Sequence, residues 1–468
     1  MTRIVIMGGG PAGYEAALVA AQYGADVTLV ETDGAGGNCV LYDCVPSKTF
    51  IATAGARTSV REAGELGVNV PPQKVEVDVK AVHQRVAHLA LAQSSDIGKK
   101  LVAEGVKMIS GRAELSDSAP GLAAHRVSVT AADGGTAVLE ADVVLIATGA
   151  SPRVLPTAVP DGERILTWRQ VYALQDLPDH LIVIGSGVTG AEFASAYNEM
   201  GVPVTLVSSR DRVLPSEDAD AAAVIEQVFT AHGGVLAKES RASSVVRDGD
   251  EVVVTLADGS QIRGSHALMT VGSVPNTSGI GLEKVGIQVP PSGFIPVDRV
   301  SRTSVAGIYA AGDCTGVLML ASVAAMQGRI AMWHVLGEGV PPLRLRTVAA
   351  NVFTHPEIAT VGISQAEVDA GKVPARTMTM PLGTNARAKM NGMRDGFVKL
   401  VIRPATGIVI GGVVVAPGAS ELILPIAMAV QNGLTAKDLA YTLSVYPSLS
   451  GSVTEIGRRL MHYDGDLG

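Results

Sequence analysis

The sequence predicts an α/β fold that contains two Rossmann-like nucleotide-binding domains, and three observations lead to this expectation. Glycine is abundant, with 53 among 468 residues, while aromatic residues make up only 4%. This composition favours α/β layers joined by tight turns. A strand, a glycine-rich turn, a helix and a second strand follow one another at the N-terminus and again near the middle of the chain. Each copy is followed by a similar hairpin and a closing apolar strand, which indicates an internal duplication.

Composition and charge exclude several classes of protein. The formal net charge is −8 and the sequence pI is about 5.6, and no basic block suggests a nucleic-acid partner. Three cysteines in so long a chain do not form a disulfide scaffold. No stretch approaches the roughly 18 apolar residues of a membrane span, and the N-terminus does not resemble a signal peptide. We therefore expect a cytoplasmic protein with no membrane span and no metal site.

The first glycine-rich turn lies in "RIVIMGGGPAGYEAALVAAQYGADVTLVE". Gly8, Gly10 and Gly13 have the G-x-G-x-x-G spacing: the first allows the tight turn, the second lets the backbone approach a pyrophosphate, and the third lets the helix pack on the strand. The N-terminus of the helix then faces the phosphate charge. Glu31 ends the second strand, and its carboxylate can accept hydrogen bonds from both hydroxyls of an adenosine ribose.

The second turn lies in "HLIVIGSGVTGAEFASAYNEMGVPVTLVSS". Its glycines are Gly185, Gly187 and Gly190. Ser208 stands at the position that corresponds to Glu31, and a serine does not repel a 2′-phosphate. Arg210 and Arg212 follow closely and could pair with that phosphate. The second site has therefore lost the carboxylate that favours NAD over NADP.

The two copies also end alike. Residues 129–150 and residues 254–273 each read as strand, turn, strand and closing apolar strand, with "ADGG" and "ADGS" as hairpin turns. The closing strands lead to Gly149 and Gly272. Two nucleotides bound by one chain suit hydride transfer between a flavin and a nicotinamide.

Two of the three cysteines, Cys39 and Cys44, lie five positions apart in "CVLYDC". In a helical segment this spacing is slightly more than one turn, which is close enough for a disulfide bridge. In a reducing compartment such a pair is more often redox-active than structural.

Taken together, these motifs resemble the pyridine nucleotide–disulfide oxidoreductase family, the flavoproteins typified by lipoamide dehydrogenase, glutathione reductase and soluble transhydrogenase. The resemblance spans essentially the whole chain. Its further motifs are "CVLYDCVPSK", "ATG" at 147–149, "GSVPNT" at 272–277, "GIYAAGDCTG" at 307–316 and "FTHPEIATVG" at 353–362.

The resemblance implies a fold and an assembly. We expect an FAD-binding domain over 1–150 and 273–343, an NAD(P)-binding domain over 151–272 and an α+β dimerisation domain over 344–468. It thus implies FAD and NAD(P)H as cofactors and a homodimer.

It also implies roles for individual residues. Cys39 and Cys44 match the family's redox disulfide. Lys48 matches a lysine near the flavin N5, where it pairs with a glutamate that corresponds to Glu192, and its charge would stabilise the reduced flavin. Asp313 matches the aspartate that binds the flavin's sugar chain, while Thr148 and Gly149 lie in the "ATG" motif of the cofactor site. We expect Cys314 to be a buried spectator.

The sequence departs from the family at one catalytic block near the C-terminus. Disulfide reductases of the family have an H-P-T/S-x-x-E block there, in which the glutamate orients a histidine that serves the partner's thiols. Here Tyr446 replaces the histidine and Gly451 replaces the glutamate. A tyrosine titrates near pH ~10 and is a poor base at neutral pH, and His462 lies outside the block.

These replacements favour an FAD-dependent NAD(P)H:quinone reductase, because a planar, electron-poor acceptor needs no thiol relay. A dihydrolipoyl dehydrogenase remains the alternative. A soluble transhydrogenase typically lacks the first thiol, which is present here as Cys39, and a non-enzymatic redox sensor would bind FAD without turnover. Ser273 stands where many relatives have arginine, so the preference between NADH and NADPH stays open.

Overall fold

The computed structural model describes residues 1–71, 75–116 and 125–461. His462 lies outside the described residues. The chain forms two compact units. One comprises residues 1–49, 83–153 and 272–344, and the other comprises residues 50–82, 154–271 and 345–468.

Strands are numbered in chain order. They are β1 (Arg3–Met7), β2 (Asp26–Glu31), β3 (Lys107–Ser116), β4 (His125–Ala131), β5 (Thr136–Ala141), β6 (Val143–Ile146), β7 (Ala150–Pro152), β8 (Ile165–Thr167), β9 (Leu181–Ile184), β10 (Val204–Val207), β11 (Val235–Ala237), β12 (Ala242–Asp248), β13 (Glu251–Leu256), β14 (Gln261–Gly264), β15 (His266–Met269), β16 (Ser273–Pro275), β17 (Ile308–Ala310), β18 (Ala349–Val352), β19 (Glu357–Gly362), β20 (Arg376–Pro381), β21 (Phe397–Ile402) and β22 (Val409–Ala416).

The helices are α1 (Pro11–Gln22), α2 (Gly37–Leu41), α3 (Cys44–Glu62), α4 (Val79–Ala103), α5 (Val188–Glu199), α6 (Ala219–Ala231), α7 (Ala321–Val335), α8 (Gln365–Asp369), α9 (Ala386–Met390), α10 (Ala419–Leu422), α11 (Leu424–Asn432), α12 (Ala436–Tyr441) and α13 (Gly451–Met461).

The first unit is built on a seven-stranded sheet in the order β17-β6-β1-β2-β3-β4-β5. Strand β1 runs parallel to both β2 and β6. Its sequence, RIVIM, is apolar and buried from the second residue onward, as expected for a parallel strand covered on both faces. Helix α1 begins with Pro11, which suits the first helical turn. The glycine-rich turn therefore lies at the carboxyl end of the central strand.

The second unit repeats this arrangement. Its parallel sheet has the order β11-β10-β9-β15-β8, and the central strand β9 (LIVI) is completely buried. Strands β12, β13 and β14 form a separate antiparallel sheet. The hairpins predicted at "ADGG" and "ADGS" are confirmed, since β4 pairs with β5 and β13 pairs with β14, both antiparallel. The predicted duplication of an α/β nucleotide-binding unit is confirmed.

The C-terminal part is an antiparallel sheet in the order β18-β19-β22-β21-β20, with helices α8 to α13 along the same stretch of chain. Its buried face includes β22 and the inner side of α11, where Ile426 and Ala429 are completely buried. This confirms the α+β character expected for the region. Among the described residues, no helix has both the length and the apolar character needed to cross a membrane.

Candidate functional site

The first glycine-rich turn has the shape that a pyrophosphate requires. Gly8 has φ +108°, a conformation that favours glycine. A Cβ atom on Gly13 would overlap the carbonyl oxygen of Gly8, so the helix can approach the strand only without a side chain there. A Cβ atom on Gly10 would meet no atom within 4 Å. The backbone at Gly10 therefore faces open space. A phosphate group could occupy this space at the N-terminus of α1.

Glu31 lies beside this turn, at the end of β2. One carboxylate oxygen accepts a hydrogen bond from the Gly9 amide at 2.5 Å. The other oxygen accepts from the backbone amides of Thr32 and Asp33 at 2.8 Å and 2.9 Å. The carboxylate is thus held in one orientation at the edge of the turn, where an adenosine ribose would pass.

The second turn has the same backbone geometry. Gly185 has φ +112°, and a Cβ atom on Gly190 would overlap the carbonyl oxygen of Gly185. A Cβ atom on Gly187 would again meet no atom within 4 Å. Each of the two turns therefore has room for the pyrophosphate of one dinucleotide, so the chain can accommodate two nucleotide cofactors.

Ser208, the counterpart of Glu31, has a different environment. Its side chain is completely buried, and its Oγ lies 2.7 Å from Oγ of Ser186, in the middle of the second turn. The same oxygen accepts a hydrogen bond from the Arg210 amide at 3.1 Å. The Ser208 hydroxyl is therefore part of the loop's own hydrogen-bond network.

The two predicted arginines differ in their surroundings. Arg210 is exposed. Arg212 is partly buried, and its guanidinium donates to the carbonyl oxygens of Pro215 at 2.8 Å and Glu217 at 3.3 Å. Arg212 therefore supports the loop, whereas the Arg210 side chain is open to solvent, and its pairing with a 2′-phosphate stays a prediction.

The two thiols lie on consecutive helices rather than on one helix. Cys39 lies in α2 and Cys44 is the first residue of α3, with a break at residues 42–43. The single helical segment assumed from the spacing is therefore wrong, although the break leaves the two side chains within hydrogen-bonding distance of each other. Both are free cysteines.

The surroundings of Cys44 disfavour its thiolate. Its pKa is raised, chiefly by a hydrogen bond to Cys39, then by burial and by the negative charges of Cys39 and Asp43, while the charge of Lys48 lowers it. The loop that carries the thiols is tied to the first turn, since the Gly36 amide donates to the Gly9 carbonyl at 2.8 Å. The thiols, Lys48 and the first turn thus belong to one unit.

Asp313 begins a short 3₁₀-helix directly after β17 and Gly312. Burial, assisted by the charge of Asp43, raises the pKa of Asp313 to about 6. A partly buried carboxyl group of this kind is stabilised by a hydrogen bond from a hydroxyl group, such as one on a sugar chain. The neighbouring Cys314 is completely buried, as predicted, and burial raises its pKa to about 11.

The "ATG" and "GSVPNT" segments lie against each other. Asn276 donates through its side chain to the Thr148 carbonyl and through its backbone to the Gly149 carbonyl, both at 3.0 Å. Gly149 and Gly272 both have positive φ, and a Cβ atom on either would meet no atom within 4 Å. These backbone positions, like Gly10, leave room for a ligand.

Glu192 is buried in helix α5, with 4% of its surface exposed. One of its carboxylate oxygens accepts a hydrogen bond from the Phe353 amide at 2.9 Å. The pairing of Glu192 with Lys48, which the family resemblance implies, stays a prediction.

The C-terminal block leaves Tyr446 in solvent, with 85% of its surface exposed. Its neighbours Leu443 and Val445 are 98% and 76% exposed. Gly451 is the first residue of α13, and Glu455, one turn further on, is paired with Arg458 and Arg459. The segment 356–461 contains no histidine, so this part of the chain offers no imidazole base.

Sequence reasoning missed the residue in the middle of each turn. It is Gly9 in the first turn and Ser186 in the second: Gly9 contacts Glu31, the last residue of β2, and Ser186 contacts Ser208, the residue directly after β10. Aligning "GGG" at 8–10 with "GSG" at 185–187 would have shown that the two turns differ at their middle residue.

Two family models match the chain in tandem. The first, described as pyridine nucleotide-disulphide oxidoreductase, matches residues 2–328. The second, described as the dimerisation domain of the same family, matches residues 348–456.

Similar full-length proteins include a protein of Mycobacterium tuberculosis named NAD(P)H dehydrogenase (quinone), which is 65% identical over 99% of this chain and 95% of its own length. The crystal structure of LpdA from Mycobacterium tuberculosis is also 65% identical, covers 98% of this chain and 100% of its own, and superimposes with a TM-score of 0.95. A dihydrolipoyl dehydrogenase of Chlorobaculum parvum is 34% identical over 97% of this chain and 95% of its own.

Proposed function

The chain belongs to the pyridine nucleotide-disulphide oxidoreductase family, and we propose that it transfers electrons from NAD(P)H through FAD to a quinone-type acceptor. It is a flavin-dependent NAD(P)H oxidoreductase. FAD and NAD(P)H are the cofactors of the family, and FAD, when bound, supplies two-electron chemistry between a nicotinamide and a second acceptor.

The residues of the first unit fit the role of FAD ligands. The open backbone at Gly10 would face the pyrophosphate at the N-terminus of α1. Glu31 would accept hydrogen bonds from the adenosine ribose, and Asp313 would bind the sugar chain of the flavin. Lys48, whose charge acts on Cys44, would stabilise negative charge near the flavin ring.

The observation that carries the proposal is the 65% identity, over 99% of the chain, to a relative named NAD(P)H dehydrogenase (quinone). Tyr446 and Gly451 support it, because neither can act as the neutral-pH base or its orienter that a disulfide substrate requires. Gly451 supplies no carboxylate at the position of the orienting glutamate, and Tyr446 is exposed to solvent.

The thiols support the same direction. A thiolate, not a thiol, attacks a disulfide, and the family's histidine that would take the proton of the outer thiol is replaced here by Tyr446. We therefore propose that electrons leave for the quinone without an obligatory passage through Cys39 and Cys44.

We also propose that the protein acts as a homodimer. The dimerisation domain of the family is present. Helix α11 buries Ile426 on one side, whereas Leu424 and Met428 are 60% and 55% exposed. Exposed apolar side chains on one side of α11 are what a helix covered by a partner subunit would present. A cytoplasmic location remains part of the proposal.

Dihydrolipoyl dehydrogenase is the second candidate. Relatives with this name are 34% identical over nearly the whole chain, and the Cys39–Cys44 pair that such an enzyme needs is present. This candidate requires efficient turnover without the histidine and the glutamate of the C-terminal block.

The test is steady-state turnover of the purified protein with NADH and NADPH against quinones, lipoamide and oxidised glutathione. The proposal expects multiple turnovers with quinones and slow reaction with both disulfides. Turnover with lipoamide that equals turnover with quinones would favour the second candidate.

A further inference from the structure

Helix α7 of the first unit carries a glutamine on its buried, apolar side. The apolar residues of that side include Val323, Ala324 and Ala331. Gln327 lies among them, with only 1% of its surface exposed. A buried amide costs free energy unless its polar atoms are hydrogen-bonded. The partners of Gln327 therefore indicate why this position of the helix is polar.

Both ends of the Gln327 amide bind the turn that follows β17. Its Oε1 accepts a hydrogen bond from the Gly312 amide at 2.9 Å. Its Nε2 donates to the Thr315 hydroxyl at 3.5 Å, and that hydroxyl donates to the Gly312 carbonyl at 2.7 Å. The three groups thus form a closed ring of hydrogen bonds that includes the N–H and the C=O of Gly312.

Gly312 is a position at which the backbone needs this support. It has φ +82° and ψ −158°, a conformation that is essentially restricted to glycine. The residue is buried, so its amide would be left without a partner if the Gln327 oxygen were removed. Asp313 follows directly and begins the 3₁₀-helix Asp313–Thr315. The direction of the Asp313 side chain therefore depends on how Gly312 is held.

The next residue of α7 contacts a different element. A Cβ atom on Gly328 would lie 2.2 Å from the carbonyl oxygen of Ala12, in the first turn of α1. Gln327 and Gly328 are adjacent, but one supports the Asp313 turn and the other lets α7 approach the helix that follows the glycine-rich turn. Substitutions at the two positions should therefore have separable effects.

We infer that Gln327 is a positioning residue for FAD: its side-chain amide fixes the Gly312 backbone so that the Asp313 carboxyl group faces the sugar chain of the flavin. The inference rests on the proposed function, because it assumes that the first unit binds FAD with Asp313 as a ligand. Gln327 acts through Asp313 in this account, so its contribution should disappear when the Asp313 carboxyl group is absent.

The test measures the rate at which FAD leaves the diluted holoenzyme, followed by the increase in flavin fluorescence. Gln327→Met keeps the length of the side chain but removes both hydrogen-bonding groups. We expect it to release FAD about tenfold faster than wild type, the effect of losing the partner of one buried amide. In the Asp313→Ala background the same substitution should change the rate by less than about twofold, because residues that act as one unit are not additive.

The matched control is Gly328→Ala, which changes the neighbouring residue of the same helix. It should also speed the release of FAD, because it displaces the start of α1. Its factor should be the same with and without the Asp313 carboxyl group, as expected for independent sites. If Gln327→Met likewise has equal factors in both backgrounds, Gln327 supports the fold in general and the inference is wrong.

A second variant covers the case in which Gln327→Met is isolated without FAD. Gln327→Glu keeps an oxygen that can accept from the Gly312 amide and should retain FAD better than Gln327→Met does. Equal loss of FAD from the two variants would overturn the inference. Wild-type protein that binds no FAD would overturn the proposed function itself, whereas unchanged release from Asp313→Ala would overturn the role of Asp313 and, with it, this inference alone.

Discussion

The Cys39 and Cys44 side chains share a hydrogen bond, and this bond is the largest of the influences that raise the pKa of the Cys44 thiol. Burial and the charge of Asp43 act in the same direction, whereas Lys48 opposes them. These contacts favour the protonated form of the Cys44 thiol, the sulfur that the family resemblance implies is nearest the flavin ring.

Quinone turnover should survive the loss of the outer thiol. We expect Cys39→Ser to keep quinone kcat/KM within about twofold of wild type, because the electrons need not pass through the pair. Cys44→Ser should perturb the flavin spectrum more, since the family resemblance implies that the Cys44 sulfur is the one nearest the flavin ring. The measurement is steady-state turnover together with the visible absorbance spectrum of each variant. A collapse of quinone turnover in Cys39→Ser would mean that electrons reach the acceptor through the thiols.

Restoring the C-terminal dyad should create disulfide reductase activity. Tyr446→His with Gly451→Glu supplies a base and its orienter, and we expect lipoamide turnover to rise by roughly tenfold or more. A Cβ atom at Gly451 would lie no closer than 3.6 Å to its neighbours, so a side chain fits there.

The control for the dyad is Tyr446→His alone, which lacks the orienting carboxylate and should gain less. Quinone turnover should change little in either variant. No gain in lipoamide turnover from the double variant would indicate that more than the dyad has been lost.

We expect the two arginines after β10 to have different roles in nucleotide binding. Arg210→Ala removes an exposed charge and should weaken NADPH binding about tenfold or more, with little effect on NADH. Arg212→Ala removes donors to the Pro215 and Glu217 carbonyls, so it should weaken both nucleotides alike through the loop. Apparent KM values for NADH and NADPH test this, and equal effects of Arg210→Ala on both would show that Arg210 does not bind the 2′-phosphate.

Stability at acid pH should depend on Glu199. Burial alone would raise the pKa of this carboxyl, but hydrogen bonds from His232 and Thr58 and the charge of Arg61 lower it from 4.5 to about 2. Because the pKa is depressed in the folded state, the group stabilises the protein above about pH 4.5 and loses that contribution as the pH falls toward 2.

Glu199→Gln should therefore reduce the free energy of unfolding by about 3 kcal/mol at pH 7, and by less than about half of that at pH 3. Urea unfolding at the two pH values measures the difference. Glu62→Gln is the matched control, because Glu62 also contacts Arg61 but is 51% exposed, and exposed pairs contribute little. A gap between Glu199→Gln and wild type that does not change with pH would contradict the assignment.

The sequence allowed the two nucleotide-binding units to be predicted because their signal is local. Gly8 and Gly13 are required by the turn and by the close approach of helix to strand, Gly10 leaves room for a ligand, and the spacing of the three reveals this pattern. The Glu199 network could not be predicted, since Thr58 and Arg61 on α3 lie about 140 residues before Glu199, and His232 lies 33 residues after it.

The candidate site likewise contains features that local sequence predicts and features that it does not. The role of Glu31 follows from its position at the end of a strand, whereas the enclosure of Ser208 depends on Ser186, a contact between residues 22 positions apart. The break between Cys39 and Cys44 was missed for a related reason: a five-residue spacing does not distinguish one helix from two.

The central claim is that electrons leave for a quinone rather than for a disulfide. The most direct measurement is anaerobic stopped-flow: the holoenzyme is reduced with one equivalent of NADPH and then mixed with a quinone or with oxidised lipoamide, while the flavin absorbance is followed. The account predicts that the quinone restores the oxidised flavin at least about a hundredfold faster than lipoamide does, which is the usual loss when a general acid–base group is missing. Reoxidation by lipoamide at a rate equal to or above that with the quinone would contradict the claim.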